Sequence, residues 1–164
     1  MSVWNRFWIF CLMLLGALCL FSSCRTLRRD PLAACKAPFA ATVAGTLNGV
    51  DFCAEITVAD EERKILFSSP SLLDGLELTV TGGEIRLSRN GISIQTDEET
   101  LNGLLLPLTV LTESHGDPER VEKQGDQIAF TFPDGVEIAV SQAGLPRFVS
   151  FPEGAFRVSN FSPA

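Results

Sequence analysis

Three places along the chain share one device, in which two runs of alternating apolar and polar residues meet at a tight-turn sequence. Around Asn48-Gly49 the flanking runs pair positions that sum to 97, so Phe39 meets Val58, Ala41 meets Ile56, Val43 meets Ala54 and Leu47 meets Val50. All of these fall on one face. The other face carries Thr42, Thr46, Asp51, Glu55 and Thr57, with Cys53 among them, so the pattern predicts a hairpin with one dry and one wet side. Asn90-Gly91 likewise sets Leu87 against Ile94 and Ile85 against Thr96. Pro133-Asp134-Gly135, suited to a type I turn closed by a glycine bulge, sets Phe132, Phe130 and Ile128 against Val136, Ile138 and Val140. Less regular runs at 63–68, 76–80, 146–151 and 155–161 add strands, the last two after the breaker Gly144-Leu145-Pro146. The result is a meander of about nine antiparallel strands.

One segment departs from the strand rhythm. After the capping-box sequence Thr96-Asp97-Glu98-Glu99, the residues Leu101, Leu104, Leu105, Leu108 and Leu111 recur at helical spacing. Pro107 is expected to kink or shorten this helix. Its leucine stripe finds an apolar partner only on the sheet. The fold class is therefore α+β, a mainly antiparallel, curved, half-barrel-like sheet with one amphipathic helix on its concave face.

The N-terminal pattern is of another kind. Residues 8–21, WIFCLMLLGALCLF, form an uncharged apolar run of fourteen residues after Arg6. A membrane-spanning helix needs roughly 20 such residues, and the core of a secretory signal about 7 to 15. Leu20-Phe21-Ser22-Ser23-Cys24 resembles the bacterial lipobox, and an ordinary signal-peptidase site would prefer a small residue where Phe21 stands. The resemblance implies a cleaved leader over 1–23, a lipidated tether over 24–37 beginning at Cys24, and a single β-rich domain over 38–164. It also implies attachment by palmitate-type acyl chains to the cell membrane or an outer membrane, facing away from the cytoplasm. One chain binds only marginally, whereas two or three anchor stably. The alternative is an uncleaved helix anchor, favoured by Arg25, Arg28 and Arg29, which oppose translocation.

Composition narrows the picture. At 164 residues and 46% apolar content the chain suits one domain with its own core. Removing Arg6 with the leader leaves 12 basic against 20 acidic residues, a net charge of −8 with the basic excess confined to the tether, which argues against nucleic acid. Of five cysteines, Cys11 and Cys19 leave with the leader and Cys24 carries lipid, so Cys35 and Cys53 remain to pair. An exported location permits that bond. The hairpin register puts Cys53 opposite Ala44, so bonding requires the segment before Pro38 to fold back; two separate thiols are the alternative.

Catalytic signatures are lacking. His115 lies in the polar loop Ser114-His115-Gly116-Asp117-Pro118, is expected to be exposed, and has no nucleophile elbow to serve. Asp60-Glu61-Glu62, followed by Arg63 and Lys64, suits a solvated turn. No zinc-like spacing, twelve-residue calcium loop or phosphate-loop context for Gly82-Gly83 occurs, so neither enzyme activity nor a metal or other cofactor is expected.

Lipobox, tether, and an antiparallel sheet wrapped around a helix over roughly 37–161 together resemble the LolA/LolB-like lipoprotein carriers and related lipid-binding surface lipoproteins. The resemblance implies an open half-barrel whose interior takes acyl chains, lined by Phe39, Val43, Phe52, Ile56, Leu101, Leu104, Leu105, Leu108, Phe130 and Ile138. The plainer reading is that these residues fill a solid core. Two functions follow: binding of lipid or lipoprotein acyl chains, or an interaction lipoprotein with a filled core that offers its acidic face or edge strands to an envelope protein.

Overall fold

In a computed structural model of the protein, residues 30–96 and 98–163 are described. The leader, Cys24 and Asp97 of the capping box lie outside the described residues. A single 3₁₀ turn, Ala33–Cys35, precedes β1 (Phe39–Leu47), β2 (Val50–Val58), β3 (Glu62–Ser69), β4 (Glu77–Thr81), β5 (Glu84–Arg89) and β6 (Ile92–Thr96). Helix α1 (Glu98–Thr112) follows, and then β7 (Arg120–Gln124), β8 (Gln127–Thr131), β9 (Glu137–Ser141), β10 (Pro146–Phe151) and β11 (Gly154–Pro163).

All strands belong to one curved, unclosed antiparallel sheet in the order β6-β5-β4-β3-β2-β1-β11-β10-β9-β8-β7. The chain starts mid-sheet at β1 and meanders out to β6. Helix α1 carries it to the opposite edge, and a second meander returns it to β1 through β11. Among the described residues no pairing joins β6 to β7, so both are edges.

The registers read from the turns hold. Phe39 pairs with Val58, Ala41 with Ile56, Val43 with Ala54 and Leu47 with Val50. Leu87 pairs with Ile94, Ile85 with Thr96, Phe130 with Ile138 and Ile128 with Val140. Asn48 and Asn90 take φ of 51° and the glycines after them 78° and 79°, the left-handed pair that a two-residue hairpin turn requires. Inner-facing residues form one cluster in which Phe52 meets Phe67 and Phe156 with ring centroids 6.3 Å apart, and among the described residues no polar or charged residue is fully buried.

One expectation is corrected. The sheet has eleven strands rather than about nine. β7, with the sequence RVEKQ, has one apolar residue and charges on both faces, which suits an edge strand and hides it from an alternation test. Within the segment before β1, Leu32 and Cys35 belong to the core cluster. No bond joins Cys35 to Cys53. Cys35 packs into the core, whereas Cys53 sits on the outer face between Asp51 and Glu55, beside Ala44 and Ser69.

Among the described residues no helix is long and apolar enough to cross a membrane.

Candidate functional site

The concave face is best followed as rows of side chains that face the same way across β3–β6. One row runs Arg63, Val80, Ile85, Thr96 and a second runs Ile65, Leu78, Leu87, Ile94. In a third, Phe67 is bonded to Leu76, and Arg89 pairs with Ile92. In the second row Ile65 and Leu78 are fully buried, Leu87 is half-buried and Ile94 is 53% exposed. Ile92 is 72% exposed and Leu72, in the β3–β4 loop, 77%. The apolar surface thus continues from the core to solvent along the β6 edge.

Helix α1 covers the other part of this face. Leu105, Leu108, Val110 and Leu111 are buried, and Pro107 lies inside the helix, which runs through it instead of stopping there. Leu101, Leu104 and Leu106 are only half-buried. The C-terminal half is therefore the better seated.

Its end is also tied down by side chains from elsewhere in the fold. His115 Nε2 lies 2.9 Å from the Val110 carbonyl, and Arg63 donates to Thr112 Oγ1 at 3.3 Å, whose hydroxyl in turn donates to the Leu108 carbonyl at 2.9 Å. Last-turn carbonyls have no helical partners and carry partial negative charge, so donors and cations suit them. His115 Nδ1 reaches Asp134 Oδ2 at 2.8 Å and its ring lies 5.4 Å from that of Phe132. Burial of Asp134 works to raise its carboxyl, but the His115 and Val136 hydrogen bonds and the His115 charge outweigh it and hold it below the usual carboxylate range. His115 is thus not the exposed loop residue the sequence suggested. Its side chain is 9% exposed, and it latches α1 to the β8–β9 turn.

The N-terminal half is intrinsically weaker. Gly103 and Pro107 cost roughly 1 and 3 kcal/mol relative to alanine in a helix interior, and Pro107 leaves the Gly103 carbonyl without its i+4 donor. A Cβ at Gly103 would meet nothing nearer than Asn48 Nδ2 at 3.8 Å. Gly103→Ala is therefore expected to stabilise the fold by about 0.5–1 kcal/mol, read as a raised Tm.

Between α1 and the first row lies a cleft of about 80 Å³, lined by Val80, Ile85, Leu105 and Leu108, with Arg63, Thr109 and Glu113 among its walls. Small-molecule pockets begin at roughly 300 Å³, so this cleft by itself is below that size. All ten residues proposed from sequence as a lining belong to or pack on the same apolar cluster, yet only Leu105 and Leu108 line the cleft. Phe39, Val43, Phe52, Ile56, Phe130 and Ile138 are buried core. Leu87, Ile92 and Ile94, the open part of the face, were missing from that set, although the Asn90-Gly91 register already put two of them opposite each other. Among the described residues no cluster of potential metal ligands occurs.

No family model and no curated protein matches the chain. Solved structures do. An uncharacterized conserved protein from Thermus thermophilus superposes with a TM-score of 0.59 at 13% identity, covering 87% of this chain and 88% of that one. A LolA superfamily protein from Nitrosomonas europaea gives 0.44 at 12% identity, covering 79% and 87%. The Mycobacterium tuberculosis lipoprotein LppX gives 0.43 at 13% identity, covering 82% and 92%. The Thermus structure shows that the fold recurs. The kinds of protein anticipated from the layout are among the structural neighbours, at overlaps that say nothing about a ligand.

Proposed function

We propose that the protein is an exported, membrane-anchored lipoprotein that binds an acyl chain without catalysing a reaction, the chain lying on the concave face between the N-terminal half of α1 and β4–β6. The observation that carries this reading is the row Leu78, Leu87, Ile94, which passes from full burial to 53% exposure without a polar residue to close it. The opposite edge is closed in that way, because Lys123 of β7 ends the row containing Val140 and Ile128. Covering Ile92 and Ile94 recovers about 1–2 kcal/mol each, and each buried methylene of the ligand adds roughly 0.8 kcal/mol. The weak helix segment between Gly103 and Pro107 gives the covering half of α1 a place to yield, while the His115 and Arg63 contacts hold the other half.

The test is a titration of the full chain carrying Cys24→Ser, which removes the protein's own acyl groups, with the fluorescent fatty acid cis-parinaric acid. Saturable binding is expected. Ile94→Glu should weaken it at least tenfold, because a charge would face the chain, while stability changes by no more than about 0.5 kcal/mol at this exposed edge position. Absence of binding at concentrations on the order of 10 μM would remove the reading. A second reading, an interaction lipoprotein, is favoured by the small cleft and by β6, an uncharged edge strand able to accept a strand from a partner. Failure of the titration would leave that one standing.

A further inference from the structure

The concave rows of β3–β6 contain two charged side chains, Arg63 and Arg89. Arg63 is spent on the end of α1. Arg89 is turned instead to the β3–β4 loop. Its Nη1 donates to the Leu72 carbonyl at 2.8 Å, and its Nη2 reaches the Ser71 carbonyl only at 3.5 Å. Its Nε is shielded from solvent and has no acceptor. Among the described residues no ion pair involves Arg89. A shielded, unsatisfied donor on an unneutralised cation costs free energy and asks for a reason. The Nε–Nη2 edge of a guanidinium is a fork that matches a carboxylate or phosphate, and on Arg89 that edge carries one long bond and one empty donor.

Its surroundings are apolar. Arg89 pairs with Ile92, and its guanidinium holds the loop that carries Leu72, so the two most exposed large apolar side chains among the described residues flank one cation. From Arg89 the inward-facing positions of β5 run through Leu87 to Ile85, which lines the cleft under α1, a distance of roughly 13 Å along the strand. The net charge of the chain is −7, so a general attraction for anions is absent and any preference for one must be local.

We infer that Arg89 meets the anionic head of a single-chain amphiphile, a carboxylate or phosphate monoester, whose tail runs past Leu87 and Ile94 toward the cleft. This deepens the acyl-chain reading and rests on it.

The experiment compares cis-parinaric acid with its methyl ester on the full chain carrying Cys24→Ser. The acid is expected to bind about tenfold more tightly. Arg89→Gln should abolish that difference while leaving ester affinity unchanged, which also shows that the variant folds. Equal affinities in the parent protein, or a preference that survives Arg89→Gln, would overturn the assignment and leave the acyl-chain reading intact. Failure of both probes overturns both. Inorganic phosphate displacing the acid as well as dodecyl phosphate does would indicate an anion site without a tail and overturn it too. Should Arg89→Gln lose ester binding as well, Arg89→Lys decides, since a lysine keeps the charge without the fork. A narrowed preference for the acid supports the inference and an unchanged one overturns it.

Discussion

A methyl group added at Gly45 should cost about 3 kcal/mol or more, and Gly45→Val should prevent folding. Gly45 lies on β1 at the seam where the two meanders join, opposite Phe52 on one side and Phe156 on the other. The rings of Phe52 and Phe156 meet edge to face, their centroids 6.3 Å apart. A Cβ built at Gly45 would sit 2.0 Å from the Ala155 carbonyl oxygen and 2.5 Å from the Phe156 Cα, backbone atoms that move only if the β1–β11 pairing moves. Because single domains are stable by only about 5–15 kcal/mol, a loss of this size at the one seam joining both halves is large. Denaturant unfolding of Gly45→Ala beside Gly103→Ala is the check: the first should fall and the second rise.

Cys24→Ser should move the protein from the membrane pellet to the soluble fraction, or leave it as an uncleaved precursor. The expectation follows from the lipobox resemblance. Cleaved as that resemblance implies, the chain would carry net −8, an acidic balance that an anionic bilayer repels, and its basic residues at 25, 28 and 29 would contribute only about 1 kcal/mol each at the surface. Stable attachment then depends on acyl chains, at roughly 0.8 kcal/mol per buried methylene. Intact mass spectrometry of the membrane fraction checks it. A protein beginning at Cys24 and heavier than its polypeptide is expected, and full-length protein without added mass would point to the uncleaved helix anchor instead.

Hairpins built on Asn-Gly turns were legible in the sequence because turn chemistry fixes register and alternation fixes the face, so each partner followed from arithmetic. β7 was not legible, since an edge strand guarded by Arg120, Glu122 and Lys123 has no alternation to read. The role of His115 depends on Asp134, nineteen residues away, and on the end of α1, neither of which is local to its loop. The site was legible only in part, for a related reason. Alternation tells which side chains face inward but not which of them another element covers. Phe39, Val43, Phe52, Ile56, Phe130 and Ile138 face inward and are sealed, whereas Leu87, Ile92 and Ile94 face inward at an edge that α1 leaves open. Arg89 was hidden among polar residues of its strand until its pairing with Ile92 put it on the same face.

The most direct measurement is photolabelling of the Cys24→Ser chain with a diazirine-bearing fatty acid, followed by assignment of the modified residues. Labels are expected on Leu87, Ile92 and Ile94 and on Leu101 and Leu104 of α1, suppressed by excess unlabelled fatty acid. Labels confined to outer-face positions such as Leu66, or none that excess fatty acid suppresses, would contradict the acyl-chain reading.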